Sequence, residues 1–124
     1  MALQSITLVP TTTHGTATGN YDGSSTYFYS DKQKGDGYYG YTDGLHTVAY
    51  YYTSFIGEIT IQGTLAKDPG DNDWFDITTT ILYGDGSTAQ TDQVFFNFTG
   101  NFTWVRAKVT EFTAGTIRKI IYNY

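Results

Sequence analysis

The sequence predicts an all-β protein, an antiparallel β-sandwich of jelly-roll type built from about eight short strands. Three observations predict it. From Phe55 to Leu65 the chain alternates strictly, with Ile59, Ile61, Gly63 and Leu65 on one face and Glu58, Thr60, Gln62 and Thr64 on the other. Composition agrees: 22 threonines, 14 glycines and 12 tyrosines favour strands and turns. Turn signals recur at regular spacing, and no stretch carries a helical period.

Taken in order, Ser5 to Val9 reads as the first strand, ended by Pro10 and a threonine tract. His14 to Gly23 is a glycine- and threonine-rich loop. Thr26 to Ser30 forms a short strand with Tyr27 and Tyr29 on one side and Phe28 on the other. Asp31 to Gly44 holds four glycines and reads as one long surface loop. Val48 to Tyr52 is a strand, separated by Thr53-Ser54 from the alternating run at Phe55. The polar segment from Ala66 to Asp73 turns at Pro69-Gly70, because Pro presets φ and Gly takes the left-handed position.

Trp74 to Leu82 is expected to pair back, with Phe75, Ile77 and Ile81 on one face. After a turn at Gly84 to Ser87, Gln93 to Thr99 puts Val94, Phe96 and Phe98 inward and Gln93, Phe95 and Asn97 outward. Gly100-Asn101 reads as a tight hairpin into Phe102 to Thr110. There Val105, Ala107 and Val109 form the packed face, and Phe102, Trp104, Arg106 and Lys108 the other. Glu111 to Gly115 turns, and Thr116 to Asn123 is the last strand. No repeat or linker divides the chain, so residues 1–124 read as one domain, large enough to bury roughly two-thirds of its unfolded surface.

Charge and residue chemistry narrow the function. A net charge of −5 argues against nucleic acid as the main partner. No apolar run reaches the length of a membrane span, and Ala2 to Ser5 lacks the pattern of a secretory leader. The expectation is a chain made and kept in soluble form, or exported without a cleaved signal. With no cysteine, disulfides, thiolate metal sites and Cys–His catalysis are excluded. His14 and His46 fall in glycine-rich loops, Glu58 and Glu111 are the only glutamates, and no Gly-x-Ser-x-Gly elbow occurs. A non-enzymatic protein without a cofactor is expected.

Three clusters remain as binding candidates. Asp68, Asp71, Asp73 and Asp76 surround Pro69-Gly70, and oxygen-rich loops bind Ca²⁺; the plainer reading is a turn whose carboxylates accept local N–H bonds. Trp104 and Arg106 share a strand face opposite a packed one, the composition of an interface hot spot; the alternative is a buried Trp104 with Arg106 reaching past it. Tyr38, Tyr39 and Tyr41, flanked by glycine, have the chemistry of an adaptable recognition surface, whereas Tyr50 to Tyr52 suit ordinary sheet packing.

The runs Gly57-Glu58-Ile59-Thr60-Ile61-Gln62-Gly63-Thr64-Leu65, Asp73-Trp74-Phe75 and Gly100-Asn101-Phe102-Thr103-Trp104-Val105-Arg106-Ala107, with the tail from Gly115 to Tyr124, carry a resemblance. Over Phe55 to Tyr124 the chain resembles small virion structural proteins of tailed bacteriophages, those of marine and cyanobacterial myoviruses in particular. The resemblance implies a capsid decoration or a tail- or fibre-associated subunit, assembled in host cytoplasm. It implies other virion proteins as partners, in a homo-oligomer or on a lattice. The order of elements also resembles jelly-roll modules that bind carbohydrate, which implies a glycan on aromatic platforms as the alternative. No family site residue is carried over.

Overall fold

The computed structural model describes residues 5–39, 44–84 and 86–123. Its strands are β1 (Ser5–Val9), β2 (Thr12–Thr13), β3 (Phe28–Tyr29), β4 (Gln33–Lys34), β5 (Leu45–Thr64), β6 (Phe75–Asp76), β7 (Gln90–Thr99) and β8 (Trp104–Asn123). A single helical turn, α1 (Asp36–Tyr39), follows β4, and a 3₁₀ turn (Thr78–Thr80) follows β6. The protein is all-β, and all eight strands join one open antiparallel sheet.

Two strands of twenty residues, β5 and β8, pair along their whole length, from Thr47 opposite Asn123 to Thr64 opposite Trp104. The free edge of β8 takes β1, β2, β3 and β4 in turn; that of β5 takes β7 and then β6. A straight strand of this length would reach roughly 65 Å. Yet Gly100 N–H bonds to Gly44 O (3.0 Å) and Thr103 N–H to Thr64 O (2.8 Å). Those donors are three residue steps apart, at most roughly 11 Å of chain. The ribbon is therefore doubled over on itself.

The bend lies where the backbone leaves the extended region. Ser54 and Glu111 take φ of 51° and 54°, and Gly115 takes 88°. The β5–β8 register shifts between Thr53 and Glu58 at the same level. A Cβ on Gly115 would run into Ser54 O, so only glycine lets the strands stay paired through the turn.

Doubling over makes two layers with the core between them. The Leu45 half contributes Val48, Tyr50, Tyr52, Phe98, Ile120 and Tyr122; the Thr64 half contributes Ile59, Ile61, Val105, Ala107 and Val109. Phe55 and Phe112 sit at the bend, 5.5 Å apart, with Tyr21 and Phe28 packed on Phe112. Tyr50 bridges the layers: its Oη donates to Thr80 O (2.8 Å), while Thr80 Oγ1 accepts from Ile61 N (3.0 Å). Burial pushes the Tyr50 phenol well above its ordinary pKa, against the opposing pull of that hydrogen bond.

Several expected elements differ. The two runs from Val48 and from Phe55 are one strand, as are those from Phe102 and from Thr116, because positive φ at Ser54 and Glu111 turns the chain without breaking its pairing. Gly100-Asn101 is no hairpin: β7 and β8 lie on opposite edges of β5, and the link crosses from one layer to the other. Phe102 turns inward against Gly63, Phe98 and His46. The Asp31–Gly44 segment holds β4 and α1. Beyond Asp76 the expected strand gives way to the 3₁₀ turn, with one bridge from Leu82 to Ile59. Leu65 lies past the end of β5 and is 65% exposed. Asp85, in the expected turn at Gly84, lies outside the described residues.

Candidate functional site

Alternation along β8 buries Val105, Ala107 and Val109 completely and turns Trp104, Arg106 and Lys108 to the outer face. Antiparallel register sets Thr64, Gln62 and Thr60 beside them on one side, and Lys34 and Tyr29 on the other. Facing residues in such pairs share a side of the sheet, so residues far apart in the chain meet here.

Arg106 is the centre. Its guanidinium carbon lies 4.2 Å from the Tyr29 ring and 4.3 Å from the Trp74 ring, so two aromatic rings contact the planar cation. Its Nε donates to Gln62 Oε1 (2.8 Å), and Gln62 Nε2 donates to Asp76 Oδ1 (2.9 Å). Lys108 Nζ closes the chain on both Asp76 oxygens, at 2.8 and 3.0 Å. Partial burial raises the Asp76 pKa, but the Lys108 and Gln62 hydrogen bonds and the Lys108 charge outweigh it, and the net shift is downward. Partial burial lowers that of Arg106, opposed by Tyr29 and Asp71; an arginine stays charged regardless.

Trp104 heads a second row. Its indole N–H donates to Lys67 O (2.9 Å), Lys32 Nζ stands 4.9 Å over its ring, and Tyr38 packs on it at 5.1 Å. Tyr39 meets Tyr38 edge-on at 5.5 Å, and Lys34 Nζ lies 4.5 Å from the Tyr38 ring. Two glycines place Tyr38. Gly35 N–H bonds to Thr103 O and Gly37 N–H to Phe102 O, which presses α1 onto the link between β7 and β8. A Cβ at Gly35 would strike Phe102 O, and one at Gly37 would strike Asn101 O.

The acidic loop folds back over this face. Thr64 Oγ1 donates to Asp73 O (2.8 Å), and Asp73 Oδ2 accepts the Gly70 N–H (2.7 Å). Trp74 is thereby laid on Arg106, and Thr60, Gln62 and Thr64, expected to face water, are buried. Asp73 thus makes the local turn bond of the plainer reading. Among the described residues no three His, Cys, Asp or Glu side chains are gathered as a metal site, and Asp68, Asp71 and Asp73 form no such group.

Of the expected binding residues, Tyr38, Tyr39, Trp104 and Arg106 share one surface; Tyr41 lies outside the described residues. Trp104 is partly buried on the outer side of the sheet, so it is neither core nor an open platform. His46 is not in a loop but is buried in β5, where Nε2 donates to Gly100 O (2.6 Å) and Nδ1 accepts from Tyr122 Oη (2.8 Å). That tautomer follows because a carbonyl oxygen only accepts.

Sequence reasoning missed Tyr29, Lys32, Gln62 and Trp74 as members of the surface. The alternation of Lys32 with Lys34 was the available signal for Lys32, and that of Gln62 with Thr60 and Thr64 for Gln62; Tyr29, three residues before Lys32, is out of step with the lysines. Trp74 arrives through the fold of the loop, which leaves no periodic trace. No protein-family model matches this sequence, and no curated protein matches it either.

Proposed function

We propose that this chain is a non-enzymatic structural protein that works by holding to other proteins through the outer face of β8. In that role it would serve a tailed-phage particle as a capsid decoration or a tail- or fibre-associated subunit. The observation that carries the reading is the Tyr29–Arg106–Trp74 stack beside the Lys32–Trp104–Tyr38 row. Trp, Tyr and Arg held rigidly side by side are the residues that anchor protein interfaces, because little side-chain freedom is left to lose on contact. Four of the chain's seven Lys and Arg residues (Lys32, Lys34, Arg106 and Lys108) border this face, although the whole chain is acidic. A partner surface with acidic and aromatic groups complements it.

A glycan needs an open aromatic face to stack on. Here Lys32 stands over Trp104 and Arg106 over Trp74, which favours protein as the partner. The test is to purify the particles assembled where the chain is encoded and quantify it by mass spectrometry. Copies in fixed ratio to a known shell or tail protein are expected. Its absence from washed particles would overturn the reading.

A further inference from the structure

We propose that the outer edge of β7 is a self-pairing surface, on which a second copy of this chain adds its own β7 antiparallel about a two-fold axis at Phe95. Among the described residues β7 pairs with β5 alone, over Leu45 to Phe55, and its other edge meets no strand. Such an edge presents ten residues of main chain to pair, and natural edges of this length usually carry lysine, proline or a bulge that forbids pairing. Between Gln90 and Thr99 there is no proline, lysine or arginine, and Asp92 is the one charge.

The occupant follows from the order of side chains. The outward residues of β7 are Thr91, Gln93, Phe95, Asn97 and Thr99, a sequence that reads nearly the same in both directions about Phe95. Directly opposed residues of antiparallel strands point to the same side, so a two-fold axis must fall on a residue. Placed at Phe95, it sets Phe95 beside its own copy, Gln93 beside Asn97 and Thr91 beside Thr99, apolar with apolar and polar with polar. On the inner side Val94 meets Phe96. An axis at Val94 would instead set Phe95 against Gln93 and Asp92 against Phe96.

A closed two-fold contact requires one patch to complement itself, and this row does. At each end of the pairing Asp92 falls opposite Phe98. Its carboxylate, which in the single chain accepts the Gln93 N–H at 2.8 Å, stays at the rim.

The sheet behind this edge suits an extension. Thr7, Ile121, Ala49 and Phe95 stand in register across four strands, and Phe95 is 67% exposed at the end of the row. Pairing at Phe95 continues the row into the second copy and covers that ring on one side. The Trp104 face belongs to the other layer, so the two surfaces act separately.

Light scattering across concentration tests the inference. The wild-type chain should approach twice 13.8 kDa as concentration rises. Phe95→Lys should weaken association by at least about tenfold with unchanged circular dichroism, since like charges would meet at the axis. Gln93→Lys with Asn97→Glu should still associate, each lysine facing a glutamate of the other copy, whereas Gln93→Lys with Asn97→Lys should not. A wild-type mass fixed at 13.8 kDa, a mass rising past the dimer, or a dimer indifferent to Phe95→Lys would each overturn it. Trp104→Ala should leave the dimer intact.

Discussion

The Arg106 guanidinium lies 4.3 Å from the Trp74 ring, across 32 residues of chain, and 4.2 Å from the Tyr29 ring. Neither aromatic group lies on β8. Both are delivered by register and by the folded acidic loop, so the stack reports whether the outer face is assembled. Arg106→Lys keeps the charge but loses the planar stacking and the Nε bond to Gln62. It should lower unfolding free energy by about 1–2 kcal/mol in urea denaturation, and Trp74 fluorescence should change in the native state.

Gly63 faces Phe102 with no room for a side chain: a Cβ would lie 2.5 Å from the ring. Gly63→Ala should therefore cost about 1–3 kcal/mol by overpacking. Combined with Phe102→Leu, the cost should fall short of the sum of the single changes, which a double-mutant cycle measures.

The bend makes opposite predictions at two neighbouring sites. Ser54 holds φ of 51°, which glycine adopts without strain, so Ser54→Gly should be neutral or raise stability by up to about 1 kcal/mol. Gly115→Ala places a Cβ on Ser54 O at φ of 88° and should cost more than about 2 kcal/mol. Thermal melting of both variants separates strain at the bend from simple loss of flexibility.

Asp76 provides a pH signature. Its folded pKa is depressed, so its contribution is present above the unfolded carboxylate value of about 4 and is lost as pH falls through the folded one. Wild type should be more stable than Asp76→Asn at pH 7, and the gap should close on acidification below about pH 4. The effect is small, because the Asp76 side chain is 42% exposed and screened by solvent. A gap independent of pH would mean that packing, not charge, holds Asp76 in place.

What could be read from the sequence was local. Alternation put Val94, Phe96 and Phe98 of β7 and Val105, Ala107 and Val109 of β8 on the packed face and separated Phe28 from Tyr27 and Tyr29, without saying which side was inward, because a strand's two faces are written at a period of two. The doubling of the ribbon was not legible, since Ser54 and Glu111 are ordinary residues held in a glycine-like conformation by pairing on both sides. Burial of Thr60, Gln62 and Thr64 was also hidden. Polar residues suggest a wet face, and only the returning loop, with Thr64 bonded to Asp73 O, covers them. Trp104, Arg106 and Tyr38 were visible as candidates by residue type, but their contact depends on Gly35 and Gly37 docking against the Asn101–Phe102 backbone.

The proposed role of the outer face of β8 is contact with other proteins. Trp104→Ala tests it most directly when unfolding free energy and incorporation into purified particles are measured on the same variant. A stability loss below about 2 kcal/mol is expected, since the ring is only partly buried, together with at least about a tenfold fall in incorporation. A loss of about 3–5 kcal/mol, the range of a truncated core aromatic, with incorporation of the remaining folded chain unchanged, would contradict it.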